Sequence, residues 1–234
     1  MYPGLVHSGE FRPRASVESA SGYNPQLFAA RGYAVLFPSI PMSAEGTPDE
    51  PYERIREGVM PAVEEAVRLG FAESGRVAVF GHSFGGYAAF ALATQSPRFR
   101  AIIACSGFAN LTSLYGAFDP RFRYEANARN RLLFMVFAES GQFRLGVPPW
   151  TDAARYARNS PISFVDRVEA PVMVIQGDQD YVPIQQGEEF FTALFRQRKE
   201  AIFVRYWGEG HSIESPDNIR DLWTRIAAFL GERL

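Results

Sequence analysis

Cysteine and histidine are scarce in this chain of 234 residues. The single cysteine, Cys105, excludes an intrachain disulfide framework and any zinc site built from several thiolates. Only three histidines are present, namely His7, His82 and His211. Histidine is the side chain that most readily exchanges a proton near neutral pH. A reaction that needs such a base therefore has three candidates in this sequence.

Long hydrophobic runs and an excess of charge of one sign are also missing. No apolar run approaches the roughly 20 residues that a membrane-spanning helix needs, and residues 1–4 lack the basic-then-apolar pattern of a signal peptide. The 24 basic and 26 acidic residues nearly cancel, to a net charge of -2. Neither nucleic acid nor a membrane is therefore an expected partner. We expect a cytoplasmic protein, unless the chain is a piece of a longer, exported one.

Strand and helix signals alternate along the chain. Short, mostly apolar segments predict strands at residues 33–38, 76–80, 100–105, 171–175 and 201–206. Helical periodicity predicts helices near residues 24–31, 49–70, 86–95, 184–198 and 217–230. This alternation predicts an α/β fold with a mostly parallel sheet and helices on both faces. The length suits one domain spanning residues 1–234.

Residues 81–86, Gly-His-Ser-Phe-Gly-Gly, contain the pattern G-x-S-x-G between a predicted strand and a predicted helix. The pattern should arise by chance in a chain of this length only about one time in ten. A tight strand-to-helix turn lifts a serine to the carboxyl edge of the sheet, which makes Ser83 the candidate nucleophile. The backbone N–H of Phe84 is then placed to stabilise an oxyanion. The alternative is a glycine-rich turn with an ordinary surface serine.

A serine nucleophile needs a base, and His211 is the candidate. His82 directly precedes Ser83 and cannot swing round to serve it. His7 comes before the serine, whereas in hydrolases with this turn the partners follow in the order serine, acid, histidine. His211 follows the predicted strand 201–206, in a glycine-flanked loop, where a solvated loop histidine is the alternative.

The acid of such a site accepts a hydrogen bond from the imidazole and stabilises the imidazolium. Asp178 and Asp180 both follow the predicted strand 171–175, where the acid is expected. The residues alone do not choose between them, because either could be a turn or N-cap carboxylate.

The order of these segments resembles the catalytic domain of the prolyl oligopeptidase family of serine peptidases, which has an α/β-hydrolase fold. The similarity lies in residues 81–87, 146–150 with 160–162, 177–183 and 208–211. It implies that Asp180, the third residue after a glycine, completes a triad with Ser83 and His211. It also implies a tyrosine hydroxyl as second oxyanion donor. Tyr2, in Tyr-Pro-Gly, matches that segment in part.

Two departures from the family's pattern stand out. No N-terminal β-propeller is present, and the strand that should lead into Tyr2 is absent. We therefore expect truncated N-terminal strands and a chain that is a fragment or begins at the wrong methionine. The alternative is that the strands at 33–38 and 76–80 close up and pair directly.

The connection before the acid strand is long and aromatic, and residues 106–159 are predicted to form a helical, cap-like insertion. Its aromatic side chains either bury the cap helices against the domain or line an apolar pocket beside Ser83.

The resemblance implies cleavage of peptide amide bonds through an acyl-enzyme, with no metal or organic cofactor. The expected partner is a peptide or a small ester or amide substrate, and self-association into a homo-oligomer is left open. A carboxylesterase on the same fold is the first alternative, and a truncated, inactive hydrolase domain is the second.

Overall fold

The computed structural model describes residues 23–118 and 133–234. Within them, one sheet of four parallel strands has the order β1-β2-β3-β4. The strands are β1 Ala78–His82, β2 Ala101–Cys105, β3 Val172–Gly177 and β4 Ala201–Tyr206. Because all four run in the same direction, the loops that follow them meet at the carboxyl ends of the strands. The predicted parallel α/β architecture is confirmed.

The helices alternate with these strands. They are α1 Pro25–Ala29, α2 Pro51–Arg68, α3 Phe84–Gln95, α4 Leu111–Tyr115, α5 Leu133–Glu139, α6 Ala153–Arg158, α7 Gln185–Arg196 and α8 Pro216–Gly231. A 3-10 helix, Pro161–Arg167, precedes β3. The helices α4, α5 and α6 all fall between β2 and β3, where the sequence predicts an insertion.

Alternate residues of the central strands face opposite layers of helices, as the pleat of a strand requires. Ile102 and Ala104 of β2 pack in the cluster that contains α3 and α7. Ile103 lies in the second cluster, with side chains of α1 and α8. Every residue of β2 and β3 is buried, which explains their continuous apolar runs. β4 forms one edge of the sheet and is partly exposed.

The strand predicted at residues 33–38 is wrong. Among the described residues the segment pairs with no strand, and Val35, Leu36 and Phe37 are about two-fifths exposed. No backbone hydrogen bond between this segment and β1 is found in the described part of the chain, so the alternative in which the two segments pair directly is wrong as well. The apolar run suggested a strand, but a strand exists only where a neighbour completes its hydrogen bonds.

Most of the described aromatic side chains of the insertion are core residues. Phe108, Phe134, Phe143 and Tyr156 are at most 1% exposed. Trp150 is a contrasting case, since it is 76% exposed and packs edge-on against Tyr115 of α4, within the insertion itself. Burial against the domain therefore accounts for most of the aromatic content that the sequence shows here.

None of the helices in the described part of the chain is both long enough and apolar enough to cross a membrane.

Candidate active site

Ser83 lies in a strained turn between β1 and α3. Its backbone has φ 61° and ψ -123°, a conformation that residues other than glycine rarely adopt. The Ser83 N–H donates to the carbonyl of Cys105 at 2.9 Å, which fastens the turn to the end of β2. Strain of this kind persists only where the surroundings enforce it, and it clusters at active sites.

The two glycines that flank this turn leave room for it. A Cβ on Gly81 would overlap the carbonyl oxygen of Gly85, and a Cβ on Gly86 would lie 2.6 Å from the carbonyl oxygen of Cys105. Each is closer than any real side-chain contact. The spacing G-x-S-x-G-G is therefore a packing requirement of the turn.

The backbone N–H of Phe84 is the first in helix α3. The first N–H groups of a helix have no intrahelical acceptor, and the helix dipole makes this end electropositive. This is the placement that the sequence predicts for an oxyanion donor. The second predicted donor, Tyr2, lies outside the described residues, as does His7.

Asp180 and His211 are hydrogen-bonded to each other. The Nδ1 of His211 lies 2.8 Å from the Oδ1 of Asp180, and since a carboxylate only accepts, the imidazole donates. The backbone N–H of Val182 donates to the same oxygen at 2.9 Å. Asp180 is 3% exposed, so this carboxylate acts in a water-poor environment. The structure thus brings together two of the three residues of the predicted triad.

Asp178, the other candidate acid, has a different set of contacts. Its Oδ1 accepts from the backbone N–H of Gly208 at 2.6 Å and its Oδ2 from the side chain of Gln179 at 3.0 Å. It therefore ties the loop after β3 to the loop after β4. The sequence left the choice between Asp178 and Asp180 open because both carboxylates link the same two loops. Asp178 does so through the backbone N–H of Gly208, and Asp180 through the imidazole of His211.

The imidazole of His211 reaches the nucleophile turn. Its ring centroid lies 4.6 Å from that of His82, the residue before Ser83, and 4.3 Å from that of Tyr181. Its backbone carbonyl also contacts the Ser106 hydroxyl at 3.3 Å. The loop after β4 thus crosses the ends of β1 and β2, which packs the ring of His211 against the residue that precedes Ser83.

Glu209 organises the histidine loop, a role that the sequence analysis missed. The carboxylate is 2% exposed and accepts from the backbone N–H groups of Glu214 and Ser215 at 2.8 and 3.1 Å. The side chain of Asn218 adds a third bond at 2.6 Å. Burial raises the pKa of Glu209, but these hydrogen bonds outweigh it and lower the pKa overall.

In the described residues, no group of three or more histidine, cysteine or acidic side chains is arranged to hold a metal ion.

Comparison with protein families matches residues 18–234 to the model described as the prolyl oligopeptidase family. Dipeptidyl peptidase family member 6 of Caenorhabditis elegans is 32% identical over 178 residues, which cover 75% of this chain and 23% of that protein. Dipeptidyl aminopeptidase BIII of Pseudoxanthomonas mexicana is 29% identical over 241 residues, covering 98% of this chain and 33% of that protein.

Solved structures give the same result for the fold. The chain superposes on the acylaminoacyl peptidase of Pyrococcus horikoshii with a TM-score of 0.67 at 23% identity, over 78% of this chain and 28% of that one. A puromycin-hydrolyzing peptidase of Mycobacterium tuberculosis gives a TM-score of 0.63 at 28% identity, over 77% and 25%. The chain therefore has the fold of these peptidases. It spans a third or less of the length of the relatives it matches.

Proposed function

The chain belongs to the prolyl oligopeptidase family, and from this premise we propose that it is a serine peptidase in which Ser83, Asp180 and His211 form the catalytic triad. The observation that carries the proposal is the hydrogen bond of 2.8 Å between the buried Asp180 carboxylate and the His211 imidazole, beside a strained serine turn. An ordinary surface serine in a glycine-rich turn would not need a hydrogen-bonded carboxylate and imidazole nearby.

In the proposed reaction, His211 takes the proton of the Ser83 hydroxyl as its oxygen attacks the carbonyl carbon of the scissile bond. Asp180 holds the imidazole in the tautomer whose Nε2 is free to accept that proton and stabilises the imidazolium that forms. The Nε2–H of His211 then protonates the leaving amine, and the acyl group stays on Ser83 as an ester.

Oxyanion stabilisation is assigned to the N–H of Phe84, supported by the electropositive N-terminus of α3. The Tyr2 hydroxyl is proposed as the second donor, on the resemblance alone. Water, deprotonated by the same histidine, attacks the acyl-enzyme and releases the acid. None of these steps needs a redox group.

The proposed substrate is a peptide, because the relatives named above are dipeptidyl and acylaminoacyl peptidases. A location in the cytoplasm is proposed on composition alone, and fractionation of the source cells with an antibody against the chain tests it.

The test is covalent labelling of the purified chain by a fluorophosphonate, which reacts with activated serines. We expect labelling at one site per chain in the wild type and none in Ser83→Ala or His211→Ala. A folded wild-type chain that does not label would overturn the proposal and favour an inactive hydrolase domain. If labelling succeeds, turnover of a matched anilide and phenyl ester separates a peptidase from a carboxylesterase. Hydrolysis of the ester alone would contradict the peptidase.

A further inference from the structure

Two side chains from neighbouring strand ends converge on the backbone carbonyl of His211. The Nε2 of His82, the last residue of β1, lies 2.6 Å from this oxygen, and the hydroxyl of Ser106, directly after β2, lies 3.3 Å from it. A carbonyl oxygen has two lone pairs, so both are occupied. Because the carbonyl only accepts, the hydrogen of the His82 ring is on Nε2.

His82 also belongs to a column of four rings. Tyr23 stacks on one face of His82, with ring centroids 4.1 Å apart and an interplanar angle of 23°. The His82 ring also contacts the ring of His211, with centroids 4.6 Å apart, and Tyr181 contacts His211 at 4.3 Å. The imidazole of His211 therefore packs against two other rings, which restricts its rotation about the side-chain bonds.

We propose that His82 is a positioning residue for the base of the reaction: its Nε2–H fixes the backbone of His211, and its ring supports the His211 imidazole next to the nucleophile turn. This inference rests on the proposed function. It gives the residue before the nucleophile a role that does not require it to exchange a proton with the serine.

A neutral His82 fills this role without placing a positive charge beside His211, and its surroundings favour that form. Burial lowers the pKa of His82 to about 4, against a raising effect of the hydrogen bond to the His211 carbonyl. The charge of His211 lowers this pKa further and that of Asp180 raises it. Burial also raises the pKa of the Tyr23 hydroxyl, which therefore stays neutral against the ring. At neutral pH, His82 thus adds no positive charge beside the imidazolium that His211 becomes.

Small displacements of the base are costly for the reaction. A misplacement of about 1 Å can reduce the rate roughly 100-fold, because proton transfer depends on a short and aligned hydrogen bond. His211 is on a loop between a strand and a helix, and its position depends on what holds the loop. The bond to Asp180 orients the imidazole, and the contacts to the His211 carbonyl fix the backbone from which the ring extends.

Two substitutions separate the donor from the ring. His82→Phe keeps an aromatic ring in the column but removes the N–H. His82→Gln loses the ring but carries an amide nitrogen the same number of bonds from Cβ as Nε2. We expect fluorophosphonate to label folded His82→Phe about 10- to 100-fold more slowly than wild type at saturating probe, with little change in the probe concentration for half-maximal rate. We expect His82→Gln to recover most of this loss.

Tyr52→Phe is the matched control, since it removes a buried hydrogen bond of 2.9 Å to Thr94 on a different surface of α3. It should lower the melting temperature without changing the labelling rate of the folded fraction. If His82→Phe behaves in the same way, His82 is merely structural and the inference is wrong. If His82→Phe does not fold, Ser106→Ala replaces it, because it removes the second donor to the same carbonyl: slower labelling supports the inference and an unchanged rate overturns it.

The proposed function and the positioning role of His82 are contradicted by different results. A wild-type chain that does not label contradicts the proposed function, and the positioning role with it. A wild-type chain that labels, with His82→Phe labelling at the same rate, contradicts the positioning role alone.

Discussion

His211 and Val182 donate to the same oxygen of Asp180, at 2.8 and 2.9 Å, while the second oxygen of this carboxylate is buried without a hydrogen-bond partner among the described residues. An amide at this position can therefore keep both bonds, with its oxygen at Oδ1 and its nitrogen at Oδ2. The substitution removes the negative charge but need not impose the wrong tautomer on the histidine.

Asp180→Asn is accordingly expected to lower kcat by about 100- to 1000-fold, the usual effect of losing one stabilising electrostatic contact. In a triad where the amide reverses the tautomer, the loss is about 10,000-fold. Steady-state kinetics on a peptide anilide measures it, with Asp178→Asn as the control, which should retain most of the activity. A loss of 10,000-fold or more in Asp180→Asn would contradict this account of the hydrogen bonds.

Glu209→Gln should destabilise the protein and slow the reaction together. The glutamine offers one acceptor oxygen where the carboxylate offers two, so at least one of three partly buried donors loses its partner, at a cost of about 1 kcal/mol. Urea unfolding measures the loss. Because hydrogen bonds hold the pKa of Glu209 below 4.5, its contribution is complete above that pH and disappears as the pH falls through the lowered value. A variant as stable as wild type at pH 7 would refute the assigned role.

The buried His82 should make stability depend on pH between about 6.5 and 4. In this window the unfolded chain binds a proton on His82 that the folded chain, with a pKa near 4, does not bind. Stability therefore falls as the pH falls through the window, by on the order of 2–3 kcal/mol, and is unaffected by this group above it. His82→Phe should flatten the profile relative to wild type, because His211 and Asp180 remain in both proteins. Parallel profiles for the two would contradict the burial of this ring.

Gly81→Ala should prevent the nucleophile turn from forming. The added methyl group would occupy the position of the Gly85 carbonyl, a backbone atom that cannot move aside, so a cost above about 3 kcal/mol is expected. Gly75→Ala is the matched control, because a Cβ there meets nothing within 4 Å. Circular dichroism during heating compares the two. Equal melting temperatures would show that the turn is less tightly packed than described.

Arg144→Met should stabilise the protein. Arg144 is 4% exposed, and within residues 23–118 and 133–234 its Nε is buried without a partner and its Nη1 has only long contacts to Met42 and Gln142, of 3.6 and 3.4 Å. A buried charge without a counter-ion is costly, and an apolar side chain of similar length should raise the free energy of unfolding by about 1–2 kcal/mol. Arg144→Lys keeps the charge and should not stabilise. A destabilised methionine variant would mean that the guanidinium is better satisfied than its contacts indicate.

Most of the fold could be predicted, because buried parallel strands have a simple signature. The apolar runs at residues 100–105 and 171–175 lie within two residues of β2 and β3, since both faces of these strands are covered by helices. The run at residues 33–38 has the same composition and is not a strand. Local sequence reports whether a segment suits a sheet, whereas the hydrogen-bonding neighbour is a property of the whole fold.

Those candidate site residues could be predicted whose residue type or spacing in the chain is itself required by the chemistry. Ser83 is marked by its flanking glycines and His211 by the shortage of histidines. His82 and Glu209 were not recognised as parts of the site, because their roles come from the burial of polar groups between loops that are distant in sequence. Such roles depend on three-dimensional contacts that no spacing in the chain encodes.

The four strands follow one another across the sheet in the order in which they occur in the chain. During translation, each strand can dock on the one synthesised just before it, and Ser83 is in place long before His211 leaves the ribosome. The base arrives only after β4, and the loop that carries it is fastened by Glu209 to the start of α8, the last helix described. A nascent chain therefore carries the proposed nucleophile before the proposed proton acceptor, so in the proposed mechanism it gains activity only after β4 and the loop that follows have been made.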